Sequence, residues 1–170
     1  MKYKKLKVDN KTPLTDQLKG LGIKSCLDLS KITDLYPLSD YIYDVEDGMK
    51  MLGKSPSKAI EELKKSKRRP LTVSEGLALF RKDKKILKNH YIDLGGSRYE
   101  SVYAPGLYLI DGKPKLFYNG LVDSNGKWGS ASCSSIGNLE LGGEDELPKI
   151  FERLDELEKF KIQVEKVLKL

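Results

Sequence analysis

The stretch APGLYLIDGKPKLFYNGLVDSNGKWGSASC, residues 104–133, decides the predicted fold class of this chain. Tyrosine and glycine are frequent in it, and the pairs Asp111-Gly112 and Asn125-Gly126 are typical of two-residue hairpin turns, whose central positions need a positive φ. Short runs with strand character, starting with YIDL at residue 91, lie before, between and after these turns. The pattern predicts an antiparallel meander of about four strands.

The preceding segment, residues 14–88, carries helical signals. Pro56 suits the first turn of a helix, where a missing backbone N–H costs nothing. Thr72 and Glu75 have the spacing of a capping box, in which each side chain bonds the other residue's backbone amide. Apolar residues at helical spacing then extend a second helix over residues 73–87.

A third helical pattern closes the sequence, because apolar residues recur at steps of three and four through residues 144–170. We therefore predict an α+β fold, with a small antiparallel meander sheet flanked by N-terminal helices and a long C-terminal helix. Residues 1–12 form a basic lead-in and residues 13–143 a single domain. The last helix either packs on that domain or forms a homodimer through residues 147–168.

Composition limits the classes of function. The 170 residues carry a formal net charge of +6. No apolar run approaches the roughly 20 residues of a membrane-spanning helix, and the amino terminus has no secretory pattern. We expect a cytoplasmic protein without a membrane partner. One histidine and two cysteines, Cys26 and Cys133, have no metal-ligand spacing, so we expect neither a metal site nor a cofactor.

Two basic clusters indicate where an anionic partner would bind. The first is MKYKKLK at the amino terminus, and the second is KKSKRR at residues 64–69. Such clusters are typical of proteins that hold an anionic polymer such as nucleic acid. The alternative is a solvated tail and a solvated helix end. The second cluster supplies the candidate ligand-binding residues Lys64, Lys65, Lys67, Arg68 and Arg69.

The stretch DLGGSRYE suggests a second group of ligand-binding residues. Gly95 and Gly96 let the backbone approach a partner closely. Ser97 and Arg98 then add a hydroxyl and a guanidinium, which together with exposed amides would make an anion pocket. The alternative is an ordinary turn between strands that carries a surface arginine.

The stretch GSASC at residues 129–133 raises the question of catalysis. Cys133 or Ser132 would be the nucleophile of a hydrolase or transferase, and His90 would be the base. The alternative is structural: the small residues of this strand pack closely beneath a helix, and Cys133 behaves as a small apolar residue. His90 would then cap a helix end.

Several of these short motifs together resemble an uncharacterised bacterial domain family. They are RRPLTVSEGLALF, YIDLGGSR, APGLYLIDGKPKL and KWGSASC, and they span about residues 69–133. The resemblance implies that Gly96, Ser97, Arg98 and the 129–133 strand belong to one site or one core, and it implies no activity. Three hypotheses follow: a non-catalytic binding module for an anionic ligand or nucleic acid, an enzyme using Cys133 or Ser132 with His90, and an interaction protein that dimerises through its last helix.

Overall fold

The structure is a computed structural model that describes residues 2–135 of the chain. Within these residues it contains four α-helices and eleven β-strands, and the strands form two sheets. The helices are α1 (Leu14–Leu21), α2 (Pro56–Lys65), α3 (Val73–Lys82) and α4 (Ile86–Asn89). The strands are β1 (Lys2–Lys7), β2 (Lys24–Ser25), β3 (Ile32–Asp34), β4 (Tyr41–Glu46), β5 (Arg68–Pro70), β6 (Tyr91–Asp93), β7 (Ser97–Tyr99), β8 (Tyr103–Ile110), β9 (Lys113–Gly120), β10 (Trp128–Ser130) and β11 (Ser132–Ser134).

The two sheets differ in size and in strand direction. Sheet A has four antiparallel strands in the order β1-β4-β11-β5. Sheet B has seven strands, with β10-β6-β8-β7-β3 in one row and β9 joining β8 to β2. Sheet B is mixed, because β10 runs parallel to β6 and β2 runs parallel to β9.

The predicted single small meander is therefore wrong, and the largest error lies before residue 91. The segment predicted to be helical contains four strands, two in each sheet. Strand β4, with the sequence YIYDVE, shows the physical reason. Aromatic and β-branched residues pack well on a pleated surface, and Ile42 and Val45 are both buried in the core.

One predicted hairpin is confirmed and the other is wrong. Asp111 and Gly112 have φ values of 50° and 71° and connect β8 to β9, which pair antiparallel along their length. After Asn125-Gly126, however, β10 does not return along β9. It pairs with β6 instead, and the Tyr91 amide donates to the Lys127 carbonyl at 2.7 Å.

The GSASC stretch carries the chain from sheet B to sheet A. Gly129 lies in β10, Ala131 lies between the strands, and Cys133 lies in β11. A Cβ atom on Gly129 would stand 2.3 Å from the Gly48 carbonyl oxygen, so only glycine fits at this crossing. Close packing is therefore observed at Gly129, against the Gly48 backbone, but the single strand predicted for this stretch is divided at Ala131.

Helix α3 forms the centre of the core beside both sheets. Its predicted capping box is present, with Thr72 and Glu75 each bonding the other's backbone amide. Leu77 and Leu79 are completely buried, and Gly76 lets the helix approach the side chain of Leu94 closely. The predicted stripe continues beyond the helix, which ends at Lys82 before the short α4.

The predicted long C-terminal helix at 144–170, and the dimer surface at 147–168 that depends on it, lie outside the described residues. Among the helices of residues 2–135, none has the length and apolar character needed to cross a membrane.

Candidate anion-binding cleft

The basic cluster at 64–69 lines a cleft where α2 ends and sheet A begins. Lys67 adopts a left-handed conformation with a φ of 54°, which turns the chain from α2 into β5, an edge strand of sheet A. The cleft has a volume of about 530 Å³. Its walls come from three separate segments of the chain: Tyr36, Pro37, Lys64, Lys67, Arg68, Arg69 and Ser135.

Arg69 is a buried structural anchor at the base of this cleft. Its two terminal nitrogens donate to the Glu75 carboxylate at 2.8 and 2.7 Å, and Glu75 also accepts from the Thr72 amide at 2.8 Å. Burial disfavours the charged guanidinium, but the Glu75 carboxylate outweighs this effect and raises the pKa of Arg69. The charge of Arg69 is therefore already neutralised by the helix cap of α3.

Arg68 also forms hydrogen bonds and an ion pair within the fold. It donates to the carboxylate and carbonyl of Asp44, and its Nε donates to the Ser132 hydroxyl at 3.0 Å. These bonds tie β5 to β11 and β4, the neighbouring strands of sheet A. Like Arg69, Arg68 faces the cleft with a charge that a carboxylate balances.

Lys64 and Lys67 are the available cations of the cleft. Both are exposed, and neither side chain forms an ion pair or hydrogen bond with another of residues 2–135. An unpaired ammonium group keeps its full attraction for an incoming anion, whereas a paired one must first lose its partner. Lys65 is exposed as well but does not line the cleft.

Tyr36 connects the two groups of residues that the sequence suggested separately. The guanidinium carbon of Arg69 lies 4.8 Å from the centre of its ring. Burial raises the pKa of the Tyr36 hydroxyl, and the positive charges of Arg69 and Arg98 oppose that rise. The charges of both groups therefore act on the Tyr36 hydroxyl, although Arg98 itself does not line the cleft.

Arg98 is a half-buried cation without a carboxylate partner in the described part of the chain. Its Nη1 donates to the carbonyls of Gly95 and Ser97 at 2.7 and 2.9 Å. Burial lowers the pKa of this guanidinium. These backbone bonds orient Arg98 and leave its charge without a carboxylate to balance it within residues 2–135.

The rest of the Gly95–Ser97 turn has a structural role. The Gly96 amide donates to the Leu71 carbonyl, and a Cβ on Gly96 would stand 2.6 Å from the Leu71 backbone. The Ser97 hydroxyl accepts from the Val73 amide at 2.9 Å and donates to Asp34. These hydrogen bonds dock the turn and β7 onto the start of α3, which leaves Arg98 as the residue here with a charge that no carboxylate balances within residues 2–135.

The three candidate catalytic residues are all buried and separately engaged. Cys133 has no exposed surface, and burial raises its pKa to about 12. Ser132 accepts from Arg68 in sheet A. His90, the C-cap residue of α4, uses its Nε2 to donate to the Asp47 carbonyl at 2.7 Å. None of the described contacts joins His90 to Ser132 or Cys133.

Sequence reasoning missed Tyr36, Pro37 and Ser135 as parts of the cleft. Tyr36 and Pro37 lie in the loop between β3 and β4, and Ser135 follows β11. No local pattern distinguishes these residues, because they reach the basic cluster through the pairing of β11 with β5 and through packing on Arg69.

Comparison with known proteins supports the sequence-based resemblance. Residues 29–113, half of the chain, match the family of unknown function DUF5701. The chain belongs to this family. The DUF5701 segment contains Tyr36, the 64–69 cluster and Arg98, and it ends before the 129–133 strand that the predicted resemblance also included. Neither the curated proteins nor the solved structures gave a significant match.

Proposed function

We propose that this DUF5701 protein is a non-catalytic binding protein that holds a polyanionic ligand in the cleft lined by Lys64 and Lys67. The observation that carries the proposal is the convergence of unpaired cations on one cleft. Lys64 and Lys67 both line the cleft, and both are exposed and unpaired within residues 2–135.

A binding role fits the chemistry of the cleft better than catalysis does. The residues that line it are cationic, aromatic or small, and its two arginines are fixed by Asp44 and Glu75. A buried thiol with a pKa of about 12 is fully protonated near neutral pH and is a poor nucleophile. Two unpaired lysines on one cleft favour an anion that carries several charged groups over a single small oxyanion.

The test uses inorganic polyphosphate as the probe and isothermal titration calorimetry as the measurement. We expect the full chain to bind polyphosphate at low salt, and we expect the double variant Lys64→Ala/Lys67→Ala to bind it less tightly. Exposed charge contacts contribute about 0.5–1 kcal/mol each, so the loss should be roughly 5- to 30-fold in affinity.

The matched control is the double variant Lys82→Ala/Lys84→Ala, which removes the same charge from exposed positions at the end of α3. This control should bind polyphosphate almost as tightly as the unaltered chain. An equal loss in both double variants would show that net charge alone attracts the probe and would overturn the proposal. Absence of binding at low salt would overturn it as well.

A further inference from the structure

The cleft combines its cations with a flat aromatic wall. Tyr36 is partly exposed and Pro37 is exposed, and both line the cleft. The buried Arg69 guanidinium occupies one face of the Tyr36 ring. The ring is only partly buried, so it retains surface on which a ligand can stack.

The residues that flank Tyr36 and Pro37 in the sequence are apolar and exposed, although neither lines the cleft. Leu35 is 50% exposed and Leu38 is 64% exposed, and each adjoins the Tyr36-Pro37 pair in the β3–β4 loop. A simple oxyanion would use only the lysines and would leave this surface unused. A ligand that contacts both the lysines and the Tyr36 ring would carry a flat group next to its negative charges.

We propose that the ligand of the cleft is single-stranded nucleic acid, with a base stacked on Tyr36 and backbone phosphates bound by Lys64 and Lys67. The inference rests on the proposed function and names the chemical class of its ligand. Aromatic side chains stack on bases of any sequence, while lysines follow the phosphates.

A single strand fits this cleft better than a duplex. In a duplex the faces of the bases are covered by their neighbours, so a ring at the wall of a cleft cannot stack on them. In a single strand the bases can turn outward and stack on an aromatic side chain. Tyr36 is held within the cleft by Arg69 and does not project from a convex surface.

The experiment compares ligands that share charge and differ in bases. Fluorescence anisotropy would measure the full chain binding to fluorescein-labelled oligo-dT and oligo-U. Competitors would be an abasic oligonucleotide of equal length and inorganic polyphosphate with the same number of phosphates. Loss of stacking on one base reduces affinity roughly tenfold to a hundredfold, so the abasic strand should compete that much less well.

Variants of Tyr36 test the role of the ring. Tyr36→Ala should lose the preference for the base-bearing strand and keep its affinity for polyphosphate. Tyr36→Phe, which retains the ring, should bind the oligonucleotide as tightly as the unaltered chain. The comparison of abasic and base-bearing strands needs no variant, so it decides the question even where Tyr36→Ala does not fold.

The outcomes separate this inference from the proposed function. Equal binding of abasic and base-bearing strands, with both weakened by Lys64→Ala/Lys67→Ala, would overturn the nucleic-acid inference and leave the polyanion proposal standing. Binding of polyphosphate without binding of either oligonucleotide would do the same. No binding of any of these probes at low salt would overturn both.

Discussion

Replacing Asp93 by Asn removes a carboxyl group that folding buries in sheet B. Asp93 has no exposed surface, and its Oδ1 accepts one long hydrogen bond of 3.4 Å from Asn119. Its Oδ2 has no partner within the described residues, and neither has the hydroxyl of Ser130, which pairs with Asp93 in the register of β6 and β10. Burial raises the pKa of Asp93 from 3.8 to about 7.

The size and sign of the effect follow from linkage between protonation and folding. In the unfolded chain Asp93 loses its proton near pH 3.8, whereas in the folded chain it holds the proton up to about pH 7. The free energy of unfolding therefore falls as the pH rises from about 4 to about 7 and is unaffected by this group above that. The full effect is about 4 kcal/mol, with roughly 3 kcal/mol of it between pH 5 and pH 8.

Asparagine resembles the protonated carboxyl group and does not ionise. Asp93→Asn should therefore be more stable than the unaltered chain at pH 8 and should approach it at pH 5. Urea unfolding at several pH values measures the difference, with Trp128, the single tryptophan of the chain, as the fluorescent probe. Trp128 lies in β10, the strand next to Asp93, so its signal reports on this region.

The control is Asp123→Asn, which removes an exposed carboxylate. It should change the unfolding free energy by less than about 0.5 kcal/mol at either pH. If Asp93→Asn were less stable than the unaltered chain at pH 8, or if the two differed by the same amount at pH 5 and pH 8, the assignment of a buried, protonated carboxyl group would be refuted.

Two further predictions concern the GSASC stretch. Gly129→Ala should lower the free energy of unfolding by about 3 kcal/mol or more, because its Cβ would collide with the Gly48 carbonyl. Gly20→Ala, in α1 with no atom near the added methyl, should instead raise it by about 0.5–1 kcal/mol, and the same unfolding assay compares them. In a native thiol titration with a disulfide reagent, the exposed Cys26 should react and the buried Cys133 should not. Rapid modification of both cysteines would contradict the burial of Cys133.

The parts of the fold that could be predicted are those fixed by short stretches of sequence. The cap of α3 depends on Thr72 and Glu75, which are three residues apart, and the β8–β9 hairpin depends on Asp111 and Gly112, which are adjacent. Each signal specifies one local backbone conformation, and the physical reason for that conformation lies in the same few residues. Such signals do not depend on where the rest of the chain lies.

The partner of β10 could not be predicted, because it is decided between distant segments. A hairpin after Asn125-Gly126 and a parallel pair with β6 satisfy the same hydrogen-bonding groups of β10. The parallel pairing with β6 lets Gly129 approach the backbone of Gly48. This contact requires glycine at position 129 and also requires the Gly48 backbone to lie directly opposite it. The glycine is visible in the sequence, but the backbone that faces it is not.

The same contrast between local signals and distant contacts explains how much of the cleft could be predicted. The run KKSKRR identified a basic surface, but it did not show which charges are free. The two arginines enter β5, where Asp44 and Glu75 bind them through planar, multidentate contacts suited to the guanidinium group. The lysines remain at the end of α2 and on the turn after it, where a strongly hydrated ammonium group keeps its water.

This separation by residue type makes the arginines part of the scaffold of the cleft and leaves the lysines as the groups that the proposed function assigns to the ligand. Arg69 holds both the α3 cap and the Tyr36 ring, so the aromatic wall has a fixed position before any ligand arrives. A Tyr36 ring that is already fixed loses less conformational entropy when a ligand binds. Under the proposed function, the flexible stems of Lys64 and Lys67 would let their ammonium groups adjust to the phosphates of the ligand.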